Sequence, residues 1–382
     1  MDFSLSDDEA DFLAGARDIA KGLAEKAFTW DGDWPTESVK MLADHGYLGV
    51  SLPEAVGGGG LSPMYAALLI GAVGEVCPDT AQAVRFTNFG PANHIARLGS
   101  AELAARYLPQ VIAGDSVLAI AISEPEAGSA ANDITTVARV EGDEIVINGF
   151  KIYSTEADIA AAFVVLVRFP EGVGSVVVDR DAPGFEIVSM DTNMSGGKQG
   201  HLLFTECRVP VANRLVSGSE GIKEQFSVYN FGRLGSALVA IAAADLGLRL
   251  ALEYTKERVQ FGTRIADFQG IRWMLAERAT ELEAARYLTY RAVTSAEQPG
   301  SRPVRMEASM AKLFATDVAG KVIDDSLQMF GAMGYMRGSQ LEYLYRFVRA
   351  FRISGGTTQM QKNMIAAEIH KRGLPRIGGA NA

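Results

Sequence analysis

The spacing of apolar positions divides the chain into three stretches. Up to about residue 115 they recur at helical period. Ser6 with Glu9 has the form of a capping box, and Phe12, Leu13, Ala16, Ile19, Ala20 and Leu23 follow on one face. Pro35 opens a second helix carrying Val39, Leu42 and Ala43, which stops at Gly46. Further helices are predicted over about 64–76 and 101–112. Gly57 to Gly60 lack both a preceding strand and a following Lys-Ser/Thr, so they predict a loop and not a phosphate cradle.

From about 116 to 220 the period is two. Val137–Val140 and Ile145–Ile147 flank Glu141-Gly142-Asp143-Glu144 as a hairpin would, and short β-rich runs follow at Phe163–Val167, Ser175–Val178 and His201–Phe204. From about 221 the helical period returns with Leu234, Leu238, Ile241, Leu248 and Leu252. Asp245 falls inside that stripe and needs a polar partner. Long helices over about 268–296, 303–330 and 340–352, then Met360–Lys371, suggest a four-helix bundle. The expected fold is multidomain α+β: an N-terminal helical domain (1–115), a mostly antiparallel middle β domain (116–220) and a C-terminal helical bundle (221–382).

Composition narrows the function. At 382 residues, two or three domains are expected, and 48% apolar content indicates packed cores. A formal charge of −10 argues against a general nucleic-acid binder. Cys77 and Cys207 form no disulfide framework and fit a reducing, cytoplasmic setting. The acidic start, Met1 to Asp8, lacks the basic and apolar regions of a signal peptide. No uninterrupted apolar run is long enough for a membrane span. His45, His94, His201 and His370 are too dispersed for a metal motif.

Five strings occur in a telling order. They are Gly46-Tyr47-Leu48-Gly49-Val50-Ser51-Leu52-Pro53-Glu54 with Gly58-Gly59-Gly60-Leu61-Ser62; Ser123-Glu124-Pro125-Glu126-Ala127-Gly128-Ser129; Asn148-Gly149-Phe150-Lys151-Ile152-Tyr153-Ser154-Thr155; Arg258-Val259-Gln260-Phe261-Gly262 with Phe268-Gln269; and Gln328-Met329-Phe330-Gly331-Ala332-Met333-Gly334-Tyr335. Over nearly the whole chain this resembles the acyl-CoA dehydrogenase family. The resemblance implies a homo-oligomer, of tetramer type, binding FAD between the β domain and the bundles of two subunits. It places Ser123, Ser129 and Thr155 at the isoalloxazine ring, with Tyr153 as the aromatic shield. Arg258 and the adjoining Phe261 fall at the pyrophosphate, Gln328 and Gly331 reach the cofactor from a neighbouring subunit, and Thr357 and Gln359 meet its adenosine half.

The departures from the pattern are chemical. The family removes an α-proton with a carboxylate while hydride leaves to the flavin. That carboxylate usually precedes Gly-Thr, where this chain has Gly355, or precedes the Arg of the first bundle helix, where it has Gly232 before Arg233. Both seats of the base are glycine. The Arg-x-Ser-x-Thr string that helps hold the thioester has become Ser195, Gly197 and Gln199, and Phe347 replaces an Asp beside Arg346. Candidates for a relocated or altered site are Glu156, Tyr229 and the pocket-base segment Arg85, Thr87 and Asn88 with His94 beyond; Arg85 there would favour an anionic or carbonyl-bearing ligand. Arg349 and Arg352 are open to a ligand phosphate or to interhelical ion pairs.

The resulting expectation is an FAD-dependent oxidoreductase of altered chemistry. Foremost is reduced-flavin, O2-dependent hydroxylation of a small apolar or aromatic substrate, served by a flavin reductase. The alternatives are dehydrogenation of an acyl thioester with a relocated base, passing electrons to an electron-transfer flavoprotein; a desulfinase-like reaction, whose branch has Gly-Gly-Thr in the same place; and a non-catalytic partner subunit.

Overall fold

The computed structural model describes residues 4–297 and 304–375. Residues 1–3, the start of the acidic N-terminus, and position 303, the expected start of a helix, lie outside them. Six helices come first: α1 (Asp7–Lys21), α2 (Thr36–Asp44), α3 (Pro63–Gly74), α4 (Pro78–Phe89), α5 (Pro91–Leu98) and α6 (Ala101–Ile112). The Ser6–Glu9 capping box is formed in both directions. α3 is apolar on all sides because it is buried on all sides. α4 and α5 were not signalled by periodicity: both begin at proline, and Gly90 divides them.

The middle of the chain forms β1 (Val117–Ala121), β2 (Val137–Glu141), β3 (Glu144–Thr155), β4 (Ala160–Phe169), β5 (Gly172–Asp179), β6 (Phe185–Thr192), β7 (Lys198–Pro210) and β8 (Arg214–Val216). They build one sheet in the order β6-β7-β3-β2-β4-β5-β8, with β1 pairing β4. The expected hairpin is β2–β3. The sheet is mixed and not purely antiparallel, since β1 runs parallel to β4 and β2 touches β4 in parallel. An inner apolar layer from Ile145, Phe163, Val165, Val176 and Phe204 holds it together.

α7 (Gly218–Glu257) follows, then the two-residue strands β9 (Val259–Gln260) and β10 (Thr263–Arg264), α8 (Gln269–Thr294), α9 (Arg305–Phe330), the single turn α10 (Ala332–Tyr335), α11 (Gln340–Arg349) and α12 (Thr358–Arg372). α7 is long and apolar enough to cross a bilayer by length and composition, but most of its apolar window is buried inside the protein. Phe231, Leu234, Leu238 and Ile241 pack between α3, α4 and α9 in a core that spans both helical regions. Asp245 finds its partners in Arg286, at 3.0 Å, and Arg249, at 3.3 Å. α4, α5 and α7 pack against one another, and the sheet abuts α7 as well.

Candidate active site

The turn between α11 and α12 carries Gly355 at φ 68° and Gly356 at φ 92°, both in the left-handed region that glycine enters without steric cost. Side chains from three helices hold its carbonyls. Lys312 of α9 donates to Gly356 O at 2.6 Å, Gln361 of α12 donates to the same oxygen at 2.8 Å and to Gly355 O at 3.2 Å, and Arg233 Nε of α7 reaches Gly355 O at 3.5 Å. A Cβ at Gly355 would approach only Ser236 Oγ, at 3.9 Å, and one at Gly232 only Phe89 O, at 3.5 Å. The structure thus brings both usual seats of the base to one place, with room left where their side chains would project.

Around that space stand cations without acidic partners. Arg85 has no ion pair and no hydrogen bond among the described residues, and its Nε is buried and unpartnered. Burial pushes its pKa down to about 10, so the guanidinium stays charged. Arg233 hydrogen-bonds Asn230 Oδ1 and overlies the ring of Tyr229 at 5.7 Å; burial lowers it to about 10 as well. Lys312 is fully buried, and burial followed by repulsion from Arg233 lowers it to about 7. The acidic group that bears on it, Asp317, is already paired with Arg352 at 2.8 Å; of the two options for Arg352, the interhelical ion pair is the one formed. A second positive charge set in a largely desolvated space without a carboxylate is costly and calls for an anion.

Other members of the Arg85 segment are committed elsewhere. Thr87 Oγ1 donates to Ala83 O, and Asn88 takes Ser51 N and Ser51 Oγ on its Oδ1 while donating to Val84 O. They brace α4 against the segment that contains Ser51, leaving Arg85 as the group of that segment free to meet a ligand. The sequence reading missed Gly235, where a Cβ would lie 2.7 Å from Arg85 Cγ: the arginine crosses α7 at a position that admits no side chain. His94, named with that segment but given no role of its own, is 1% exposed and stands 5.9 Å from the Tyr229 ring, centroid to centroid.

Glu156 departs from the solvated turn carboxylate that its sequence context implies. It is 9% exposed, sits at φ 59°, and burial together with Asp158, Asp33 and Asp79 raises its pKa to about 8. A carboxyl held protonated at neutral pH makes a poor base and a serviceable acid. Nearby, Asp79 accepts a hydrogen bond from Tyr343, and burial raises it to about 6. The string expected to hold a thioester is occupied by the protein itself: a Cβ at Gly196 would lie 1.9 Å from Asp31 O, and Asn193 Oδ1 accepts from Ser195 N, Ser195 Oγ and Gly197 N.

The residues assigned to the cofactor fall on two surfaces. On the sheet, Thr155 Oγ1 donates to Gln199 Oε1 at 3.1 Å, Ser123 is partly open and Ser129 exposed; Tyr153, at φ 57° and 58% exposed, stands edge-on to His201. At the far end of the bundle lie Arg258, Phe261, Gln328 and Gly331, drawn together by Tyr254 stacking on Phe330 at 4.1 Å. Phe261 is 96% exposed and Arg258 has no ion pair among the described residues. Gly331, at φ 58°, has nothing within 4 Å of its Cβ direction, whereas Ala332 is helical and needs no glycine. Thr357 spends its hydroxyl as the N-cap of α12, accepting from Met360 N, and Gln359 is exposed. Neutral hydroxyls on one face and an unpaired guanidinium with a bare aromatic ring on the other suit the two halves of a long dinucleotide.

Three family models cover the chain: the acyl-CoA dehydrogenase N-terminal domain over residues 6–115, the middle domain over 119–207 and the C-terminal domain over 219–370. The chain belongs to the acyl-CoA dehydrogenase family. It is accordingly a flavoprotein that binds FAD, and the residue types on both surfaces fit that cofactor. When bound, FAD supplies a two-electron centre at its isoalloxazine ring. The protein is 34% identical to a 3-sulfinopropanoyl-CoA desulfinase of Variovorax paradoxus, over 98% of this chain and 97% of that one. It is 32% identical to an acryloyl-CoA reductase (NADH) of Anaerotignum propionicum, over 97% of each. The structure of butyryl-CoA dehydrogenase from Megasphaera elsdenii matches with a TM-score of 0.90 at 28% identity, over 97% of this chain and 100% of that one.

Proposed function

We propose that this flavoenzyme acts on a short acyl thioester whose far end bears an anion, and that it removes a terminal sulfinate instead of desaturating the acyl chain. The observation that carries this reading is Arg85: a half-buried arginine whose Nε is buried without a hydrogen-bond partner and which has no ion pair among the described residues, beside a space whose two base positions are glycine. Dehydrogenation needs an α-proton acceptor, and a positioned base contributes roughly 10²–10⁴-fold. Hydrolytic cleavage of a C–S bond to a sulfinate needs no α-proton acceptor; it needs the sulfinate held in place, which a guanidinium can do bidentately. Arg233 and Lys312 raise the positive potential of the same space. The relatives that bear the desulfinase name support this choice of anion.

Hydroxylation of an apolar guest, the foremost expectation from the missing base, is not supported by the relatives named above. An apolar ligand would also seal Arg85 from water with no counter-charge, at a cost of several kcal/mol. The desulfination is redox-neutral: R–SO₂⁻ and water give R–H and HSO₃⁻. The carbon keeps the electron pair of the broken C–S bond and takes a proton; the sulfur takes hydroxide. No flavin reductase or electron-transfer flavoprotein is consumed on this reading.

The test is sulfite release from 3-sulfinopropanoyl-CoA by the purified FAD-loaded protein, alongside anaerobic spectra with butanoyl-CoA and succinyl-CoA. Sulfite without flavin bleaching is the expected result. Bleaching by butanoyl-CoA with no sulfite from the sulfinate would sink the proposal and favour a relocated base. Glu156 is the residue for that second reading, because it is a buried carboxyl directly after Thr155; its raised pKa weighs against it at neutral pH.

A further inference from the structure

We propose that His94 holds the water consumed in the reaction; this rests on the desulfinase reading. α5 places the ring against α7, beside the same Tyr229 that Arg233 overlies. His94 Nδ1 lies 3.0 Å from Gly90 O. A carbonyl only accepts, so Nδ1 carries the hydrogen. Burial lowers the imidazole pKa to about 4, which leaves the ring neutral and Nε2 a bare acceptor. That Nε2 is buried and has no partner.

Two unpartnered donors accompany it. Arg85 Nε is one; Asn93 Nδ2, on the residue preceding His94, is the other. The orientation of the Asn93 amide is set by its Oδ1, which accepts from Arg97 Nε at 2.9 Å. Buried polar atoms left without partners are costly, and two of these, His94 Nε2 and Arg85 Nε, belong to side chains that bear on Tyr229, which indicates a site made for polar guests. The guests must be of two kinds. A sulfinate satisfies donors but offers only lone pairs to His94 Nε2. A hydrogen-bond donor must fill that position, and water is the co-substrate that the balanced reaction requires. With one O–H held by Nε2, the water oxygen is directed at the sulfur. As the S–O bond forms the C–S bond breaks, the released carbon takes one proton of the water, and HSO₃⁻ departs.

Two variants of the FAD-loaded enzyme test the role. His94→Asn keeps a short amide able to donate to Gly90 O but withdraws the distal acceptor; His94→Gln returns an acceptor near the place of Nε2. Sulfite release from 3-sulfinopropanoyl-CoA gives kcat and KM. Perturbation of the flavin spectrum by succinyl-CoA, an uncleavable anion, gives affinity, and melting temperature reports folding. The expected result for His94→Asn is a kcat reduced about 10²-fold with unchanged affinity for succinyl-CoA, and for His94→Gln substantial recovery of kcat. A wild-type kcat in His94→Asn, or equal losses in both variants, overturns the role of His94 while leaving the desulfinase reading intact. Absence of sulfite from the wild-type enzyme removes that reading and this inference with it.

Discussion

Arg85 and Glu156 are both charged residue types placed where water is scarce, and they meet the cost differently. Arg85 stays ionised with no ion pair or hydrogen bond among the described residues; Glu156 gives up its charge. Replacing Arg85 by leucine should therefore divide function from stability. Loss of a charge-assisted hydrogen bond to the substrate anion costs about 1.5–3 kcal/mol. That corresponds to roughly ten- to a hundredfold in kcat/KM for an anionic acyl thioester, while the melting temperature should hold or rise because an unpaired buried cation is gone. Steady-state kinetics and calorimetry on the same variant check both halves. For Glu156 the sign follows from linkage. Its pKa is about 8 folded against 4.5 in its ordinary state, so between those values the folded protein binds the extra proton. Its contribution to stability is complete below about pH 4.5 and is lost as pH rises through about 8. Glu156→Gln should flatten the fall of the melting temperature between about pH 4.5 and 8; an unchanged pH profile would show the carboxyl to be ionised in the native protein. The character of Glu156 was not legible in the sequence, since burial is a property of the fold and two of the carboxylates that add to its effect, Asp33 and Asp79, lie more than seventy residues upstream.

The crossing of α4 over α7 and the Gly355–Gly356 turn show what whole elements require. At the crossing, Gly235 exists because Arg85 passes 2.7 Å from where its Cβ would be, and Phe89 Cβ lies at 3.0 Å. Gly235→Ala should displace the arginine, reproducing the substrate-binding defect of Arg85→Leu without touching a charged residue; the readout is affinity for succinyl-CoA from flavin spectra. At the turn, Gly355→Ala meets open space but a φ of 68°. The expected cost is about 1 kcal/mol of stability from the left-handed backbone, measurable by urea titration, with the carbonyl contacts to Arg233 and Gln361 retained. The turn falls in the gap that the sequence left between helices over 340–352 and Met360–Lys371, and the long bundle helices were placed within a few residues, because periodic apolar stripes of that length have one reading. The sequence did not announce α4 and α5. Their prolines and Gly90 look like loop punctuation, and their buried faces include Asp79, Thr87, Asn88 and His94, polar residues whose partners are supplied by the tertiary fold.

On the scale of the molecule, the problem is the distance between the two cofactor-type surfaces. α7 runs for 40 residues, about 60 Å at 1.5 Å per residue. Gly232 and Arg258 are separated by about 39 Å along it at the same rise, and Arg258 shares its end of the bundle with Phe261, Gln328 and Gly331. One extended dinucleotide that touches Ser123 and Thr155 at the sheet is poorly placed to touch Arg258 of the same chain as well. The separation is resolved if a second copy brings its Arg258 end to the first copy's sheet, so that each cofactor lies between two chains. An aromatic ring 96% exposed at Phe261 is then a contact waiting for its partner and not an isolated hydrophobe on the surface. This sharing couples two measurements that would otherwise be independent. Arg258→Ala should lower the ratio of flavin to protein in the purified sample. Phe261→Ser should shift the assembly toward smaller species by light scattering and lose flavin in proportion. Added FAD should drive that variant back toward the larger species, since a ligand that binds only the assembled form stabilises it by mass action. A monomeric Phe261→Ser protein with full flavin content would refute the shared site and place the whole cofactor within one chain.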